Sequence, residues 1–152
     1  MIKFKNIVGR KPKFIVLDKL ESTDIDEKID FVIKNKFKRI TYTEAIDIEK
    51  WAVENCVENA YKNNTEFIIK LGGKEQISDQ LFDVILANIN RNILIDQMSI
   101  YATRLKTGGK LLLSGFLTDD ENTITDCANA QSLELTKKLN KENWLCLTFT
   151  KK

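Results

Sequence analysis

Short apolar segments alternate with segments of helical periodicity along the chain. Residues 14–17, 82–87 and 110–117 are nearly continuous apolar runs, the pattern of strands buried on both faces of a parallel sheet. Apolar side chains recur at helical spacing in residues 24–35, 49–63 and 119–130, and again at Leu94, Met98, Tyr101 and Leu105. Further strands are predicted over residues 39–48, 66–71, 133–139 and 144–150.

The order of the predicted elements, β-α-β-α-β-β-α-β-α-β-β, is typical of an α/β fold with helices on both faces of its sheet. We predict a doubly wound, mostly parallel, Rossmann-like sheet of about seven strands. Residues 140–143 are predicted to join the last two strands as an antiparallel hairpin at one edge. Gly108 and Gly109 are predicted to end the helix before them, because glycine readily adopts the left-handed conformation found there.

Polar or glycine residues stand where the predicted parallel strands end. Ligands of doubly wound sheets bind at the carboxyl ends of the strands, near the point where the strand order reverses. In this chain those ends are Asp18, Asp47, Gly72, Asn88 and Ser114. The sequence therefore predicts a binding site built from residues at these positions.

Asp47 ends the second predicted strand. A carboxylate at this position can accept hydrogen bonds from both hydroxyls of a nucleotide ribose. It can equally cap the helix that begins near Glu49. The two roles are compatible at a junction between a strand and a helix.

Asn88, Ile89 and Asn90 follow the fourth strand. An asparagine side chain offers both donors and acceptors, so it can hold a neutral amine without changing its charge. That property suits methyl transfer to nitrogen, where the amine must be aligned with the methyl–sulfur bond of the donor. The alternative is that the asparagines cap the next helix, which we favour for Asn90 and leave open for Asn88.

Ser114 and Gly115 end the fifth predicted parallel strand. A glycine within a strand often permits close approach of a ligand or of another backbone, and it can also mark a bulge. Trp51 and Trp144 are interpreted as packing residues of the core or of the sheet edge rather than as stacking platforms.

Length and charge define the class of protein. The chain has 152 residues, which is enough for one domain. Its formal net charge of +2 is too small to attract nucleic acid or a membrane surface strongly. We expect residues 1–13 to form a basic, solvated lead-in and residues 14–152 a single domain. No apolar run approaches the roughly 20 residues that span a bilayer, and no signal peptide is recognisable, so we expect a cytoplasmic protein.

The residues available for chemistry exclude several classes of site. The chain contains no histidine, and its cysteines, Cys56, Cys127 and Cys146, are far apart in sequence. We therefore expect no metal site, and a nucleophile activated by histidine is excluded. The cysteines are interpreted as small core residues.

Four segments together resemble the ribosomal protein L11 methyltransferase family, whose members use S-adenosylmethionine. Residues 45–60 (AIDIEKWAVENCVENA) resemble the second strand and following helix of class I methyltransferases. Residues 82–89 (FDVILANI) look like the fourth-strand motif of the family, and residues 105–116 (LKTGGKLLLSGF) look like its glycine-containing fifth strand. Residues 144–147 (WLCL) fit its last strand.

The resemblance implies a methyltransferase that acts on amino groups of a ribosomal protein. It implies that Asp47 binds the cofactor ribose and that Asn88 lies beside the methyl group and the amine. Asp18, Gly72 and Gly73 are then expected at the cofactor. Ile89, Asn90, Ser114 and Gly115 are expected to line the substrate side. Nucleic acid is expected as a partner only within the ribosome.

The sequence departs from this family in two places. The family carries a glycine-rich loop after the first strand, whereas no glycine occurs here between Arg10 and Leu71. Glycine matters at that loop because the backbone must approach the cofactor closely. The family also carries an amino-terminal substrate domain, which we expect to be missing because only about forty residues precede Ala45.

These departures leave two main hypotheses. The chain is an active methyltransferase with an altered first loop, or it is a catalytically inactive relative that binds a protein or the ribosome. A nucleotide-binding domain is a third hypothesis, which the missing glycine loop also disfavours. An open edge strand, or a face left uncovered by the missing domain, would favour homo-oligomers.

Overall fold

A computed structural model describes residues 13–18 and 42–152 of the chain. The described strands form one sheet in the order β3-β2-β1-β4-β5-β7-β6. The strands are β1 (Lys13–Asp18), β2 (Tyr42–Asp47), β3 (Ile68–Leu71), β4 (Phe82–Asn88), β5 (Leu105–Leu117), β6 (Leu133–Lys141) and β7 (Trp144–Lys151). The helices are α1 (Lys50–Lys62), α2 (Arg91–Arg104) and α3 (Glu121–Asn129). The predicted α/β class is confirmed.

The sheet is mixed. Strands β1 to β5 pair in parallel, whereas β7 runs antiparallel to both β5 and β6. Starting at β1, the chain builds outward first through β2 and β3, and then in the other direction through β4 and β5. The strand order therefore reverses between β1 and β4, which is where a doubly wound sheet offers a crevice for a ligand.

Apolar stripes on the helices account for the core. Helix α2 buries Leu94, Met98 and Tyr101, which recur at the spacing of one helical face. They pack with side chains of β4, β5 and β7, and the fully buried members of the cluster on these strands include Phe82, Ile85, Leu111, Leu113, Leu147 and Phe149. The core thus lies on the side of the sheet where β4, β5 and β7 meet α2.

Two expectations about local structure are wrong. Helix α2 ends at Arg104, before Gly108 and Gly109, because Leu105 is already buried in β5 beside Phe82. The two glycines instead lie in an irregularity of β5, where Gly108 has a φ of +77°. The predicted four-residue hairpin turn is also too long, because β6 continues to Lys141 and β7 begins at Trp144.

The tryptophans are not core residues. Trp51 is 53% exposed on α1, and Trp144 is 57% exposed at the start of β7. The three cysteines are only half-buried, so they contribute less to the core than expected. The predicted helix over residues 24–35 and most of the basic lead-in lie outside the described residues.

Candidate functional site

The carboxyl ends of the parallel strands bring most of the predicted positions to one edge. Asp18 is the register partner of Asn88, and Asn88 is the register partner of Ser114. Neighbouring strands are about 4.8 Å apart, so these three residues are close neighbours at the point where strand order reverses. Asp47 ends β2, on the other side of β1.

Asp47 forms the junction between β2 and α1. Its Oδ1 accepts a hydrogen bond from the backbone N–H of Glu49 at 2.8 Å. The residue at the cap position is Glu49, whose side chain makes no capping bond. The Asp47 side chain therefore stabilises the turn that leads into α1. The cap predicted at Asp47 lies two residues before the actual cap residue, Glu49.

Gly72 follows β3 and bonds to Asp47, and these two residues form the Asp47 corner of the site. The Gly72 N–H donates to the carbonyl oxygen of Asp47 at 2.9 Å, and Gly72 has a φ of +145°. A Cβ at Gly72 would come within 2.5 Å of the Gln76 side chain. The Gly73 N–H in turn donates to Oε1 of Glu75 at 2.7 Å. That backbone hydrogen bond lowers the pKa of the Glu75 carboxyl.

Asn88 and Ser114 form a direct pair. The hydroxyl of Ser114 donates to Oδ1 of Asn88 at 2.9 Å, and both residues are half-buried. This bond fixes which side of the amide faces β5. The pair therefore places an oriented amide at the switch point of the sheet.

Asn90 has the capping role. Its Oδ1 accepts from the backbone N–H of Ile93 at 3.2 Å at the start of α2. The cap satisfies one of the donors that a helix amino terminus leaves unpaired. The capping alternative is thus confirmed for Asn90, whereas Asn88 bonds across to the neighbouring strand.

Gly115 allows the loop after β4 to pass close to β5. Its φ is +88°, and a Cβ there would lie 2.8 Å from the carbonyl oxygen of Ile89. The register between β5 and β7 also shifts between Leu113 and Phe116. Close backbone approach and a bulge, the two alternatives for this glycine, therefore occur together. Both fix the position of the residue that follows Asn88.

Exposed apolar side chains border the Asp47 corner, and sequence reasoning missed them. Ile48 directly follows Asp47 and is 58% exposed, and Leu71 directly precedes Gly72 and is 51% exposed. The sequence does indicate this surface, because an apolar residue lies next to Asp47 and next to Gly72, where a solvated turn would normally carry polar residues. A carboxylate beside apolar surface fits a ligand with hydroxyl groups and a flat apolar ring.

A buried charge cluster lies in the adjacent strands and was also missed. The Glu44 side chain on β2 is fully buried and forms an ion pair with Lys70 on β3 at 3.3 Å. Burial alone would raise the pKa of Glu44, but hydrogen bonds from Ser78 and Tyr42 and the Lys70 ammonium outweigh it and lower the pKa. The sequence signal was a pair of opposite charges within two neighbouring, otherwise largely apolar strands.

The part of the chain that the structure describes also bears on metal binding and on membrane insertion. No group of three or more histidine, cysteine, aspartate or glutamate side chains there could hold a metal ion. None of the described helices is both long enough and apolar enough to cross a membrane. The segment where the family carries its glycine loop, residues 19–41, lies outside the described residues.

A family model described as ribosomal protein L11 methyltransferase (PrmA) matches residues 39–152. The ribosomal protein L11 methyltransferase of Porphyromonas gingivalis is 46% identical over 108 residues, which are 70% of this chain and 37% of that protein. The protein of the same name from Bacteroides thetaiotaomicron is 36% identical over 108 residues, covering 70% of this chain and 39% of that protein. The chain therefore spans less than two fifths of the length of these two relatives.

Solved structures share the fold. A ribosomal protein L11 methylase from Lactobacillus delbrueckii superimposes with a TM-score of 0.78 at 20% identity, covering 93% of this chain and 70% of that chain. The N-methyltransferase NodS from Bradyrhizobium japonicum gives a TM-score of 0.67 at 11% identity, covering 92% of this chain and 85% of that chain. The architecture is thus that of methyltransferases, and the sequence match adds the family. The chain belongs to the ribosomal protein L11 methyltransferase family.

Proposed function

We propose that this chain is a methyltransferase domain that binds S-adenosylmethionine and methylates amino groups of a ribosomal protein. The observation that carries the proposal is that Asp47, Asn88 and Ser114 all end parallel strands on the same side of the sheet, where Ser114 bonds Asn88 directly and Asp47 lies across β1 from them. The family match that includes these residues begins at residue 39. We further propose that residues 14–152 form one doubly wound domain, with the β6–β7 hairpin closing its sheet.

The described residues fit the nucleoside part of this cofactor. Asp47 offers a carboxylate at the end of β2, where ribose hydroxyls can donate to it. Ile48, the next residue in the chain, and Leu71, the register partner of Asp47 on β3, offer exposed apolar surface near that carboxylate, which suits an adenine ring. Gly72 and Gly73 keep the adjoining backbone close to this corner. Asp18 is assigned to the same site from its place at the end of β1.

Asn88 is the proposed residue at the reacting atoms. The bound cofactor would supply an electrophilic methyl group on a sulfonium. The Ser114 hydroxyl donates to Asn88 Oδ1 and so orients the amide, toward which the incoming amine would direct an N–H. The amine nitrogen must be neutral and in line with the methyl group, so Asn88 contributes mainly by orientation. Ile89, Asn90, Ser114 and Gly115 are proposed to line the substrate side.

The proposed partners follow from the family. The relatives are named for ribosomal protein L11, and we propose a ribosomal protein as substrate, in the cytoplasm, with ribosomal RNA encountered only in that context. Among the described strands β3 ends the sheet, and an edge exposed there would favour homo-oligomers. The alternative function is a catalytically inactive family member that binds a ribosomal partner. It is favoured by the absence of glycine between Arg10 and Leu71.

Calorimetric titration with S-adenosylmethionine tests the proposal. We expect binding by the wild-type protein and its loss in Asp47→Ala. The matched control is Asp83→Ala, which removes a carboxylate near the opposite end of β4, where Asp83 pairs with Lys106. Binding by both variants would refute the assignment of Asp47. No binding by a folded wild-type protein would refute the enzyme and leave the inactive, partner-binding alternative.

A further inference from the structure

The buried pair Glu44–Lys70 reaches beyond its own strands. Glu44 lies on β2 with its side chain fully buried, and Lys70 lies on β3 with 25% of its side chain exposed. The Lys70 Nζ donates to Oε2 of Glu44 at 3.3 Å and to the carbonyl oxygen of Gln76 at 2.8 Å. Ser78 adds its backbone N–H to the same carboxylate oxygen at 3.4 Å. The pair therefore holds the connection that follows β3.

This connection begins at the proposed cofactor corner. Gly72, its first residue, donates to the carbonyl oxygen of Asp47 at 2.9 Å. Four residues later, Gln76 is bonded to Lys70, and Ile77 is buried. The segment from Gly72 to Ser78 is thus fixed at one end to Asp47 and at the other end to the Glu44–Lys70 pair.

A buried ion pair adds little net stability to a fold, because the desolvation of its charges opposes their attraction. Removing two charges from water costs several kcal/mol per ion in typical proteins, and apolar replacements of similar volume are often as stable. The Glu44 carboxylate is compensated here by Lys70, by the Tyr42 hydroxyl and by the Ser78 N–H. Each of these bonds has a required direction, which an apolar contact lacks. The pair therefore specifies a position more than it adds stability.

We propose that Glu44 and Lys70 are positioning residues that hold residues 72–78 in place and thereby set the affinity of the nucleoside site beside Asp47. This inference rests on the proposed function, because it assigns the affected ligand to that site. Neither residue contacts the ligand. They act through the Gly72–Asp47 bond and through Leu71, the apolar residue that precedes Gly72.

Three variants separate an effect on the position of residues 72–78 from an effect on the stability of the whole protein. Glu44→Gln keeps the shape and removes the charge, Lys70→Met removes the ammonium, and the double variant leaves no unpaired charge. The control is Lys106→Met, which breaks the Lys106–Asp83 ion pair of 2.8 Å at the amino-terminal ends of the central strands β4 and β5. Each protein is titrated with S-adenosylhomocysteine, and amide hydrogen exchange of residues 72–78 is compared with that of β4 and β5.

We expect both single variants to weaken binding about tenfold and to accelerate exchange of residues 72–78 by at least about tenfold more than exchange of β4 and β5. The double variant should recover stability without recovering affinity or protection, because the Lys70 ammonium that bonds the Gln76 carbonyl oxygen remains absent. Lys106→Met should change neither. Affinity that recovers with stability in the double variant would overturn the proposal, as would exchange that accelerates equally throughout the sheet.

The two failures are distinguishable. If the folded wild-type protein binds no S-adenosylhomocysteine, the proposed function fails, and with it the nucleoside part of this inference. Exchange of residues 72–78 then decides the anchoring role alone, since that measurement needs no ligand. If the wild-type protein binds and the variants bind equally well, the positioning role fails while the proposed function stands.

Discussion

Replacing Gly115 by alanine should destabilise the protein through two effects that can be separated. Gly115 has a φ of +88°, a conformation that costs an L-residue about 1–2 kcal/mol. The new Cβ would also lie 2.8 Å from Ile89 O and 2.9 Å from Ile89 N, both backbone atoms. Overpacking of this kind costs roughly 1–3 kcal/mol, because the backbone must shift. The sum is about 2–5 kcal/mol.

Gly108→Ala is the matched control for this prediction. Gly108 has a similar φ of +77°, but a Cβ there would meet nothing within 4 Å. It should therefore show the conformational effect alone, about 1–2 kcal/mol. The difference between the two variants measures the contact with Ile89.

Urea unfolding and thermal melting measure both variants. A loss of about 3 kcal/mol in a chain of this size lowers Tm by roughly 6–12 °C, whereas the control should lose about half as much. Because Ile89 follows Asn88, Gly115→Ala should also displace the proposed catalytic amide. Equal destabilisation by the two variants would refute the argument that the Gly115–Ile89 contact is tight.

Three further predictions concern single side chains. Ser114→Ala removes the bond to Asn88 Oδ1 and should lower kcat several-fold with unchanged cofactor affinity, while Ser114→Thr retains most activity; a change confined to cofactor affinity in steady-state and binding assays would contradict the assigned orienting role. Because folding lowers the pKa of Glu44, its carboxylate stabilises the fold at pH values above the usual pKa range of a glutamate. This contribution is lost as the pH falls through the lowered pKa of the folded state. The unfolding free energies of wild type and Glu44→Gln should therefore converge in acid, and a gap that stays constant from neutral pH downward would disprove the linkage. Tyr101→Phe removes a hydroxyl that donates to Gln97 at 2.5 Å in the core, so a loss of about 1 kcal/mol is expected from urea unfolding, and a more stable variant would show that the bond contributes nothing.

Much of this fold could be predicted because burial and periodicity agree in its central elements. The run over residues 82–87 is apolar except for Asp83, and it becomes most of β4, with β1 on one side and β5 on the other. The buried face of helix α2 is evident from the sequence, because Leu94, Met98 and Tyr101 recur at helical spacing. The end of α2 could not be predicted from its glycines. The burial of Leu105 beside Phe82 draws that residue into the sheet before Gly108 is reached.

The candidate site was predictable in position more than in bonding. Asp47, Asn88 and Ser114 were placed at strand ends by the strand pattern, and the sheet order brings those ends together. The bond between Ser114 and Asn88 depends on the register of β4 and β5, which residue types alone do not give. Burial of Glu44 depends likewise on the path of the connection after β3. Contacts between elements that are distant in sequence therefore limited the prediction.

The order of strands in the sheet has a consequence for how the chain acquires its structure. Strands β4, β5, β7 and β6 are neighbours in space and are built from one continuous stretch, residues 82–152. Strand β1 lies between this group and the β2–β3 pair, and it supplies the pairing between them within the sheet. Contacts that are local in sequence form faster than distant ones. The stretch 82–152 should therefore fold first and exchange its amides last, with the β2–β3 pair opening as a separate cooperative unit whose closure depends on six residues of β1.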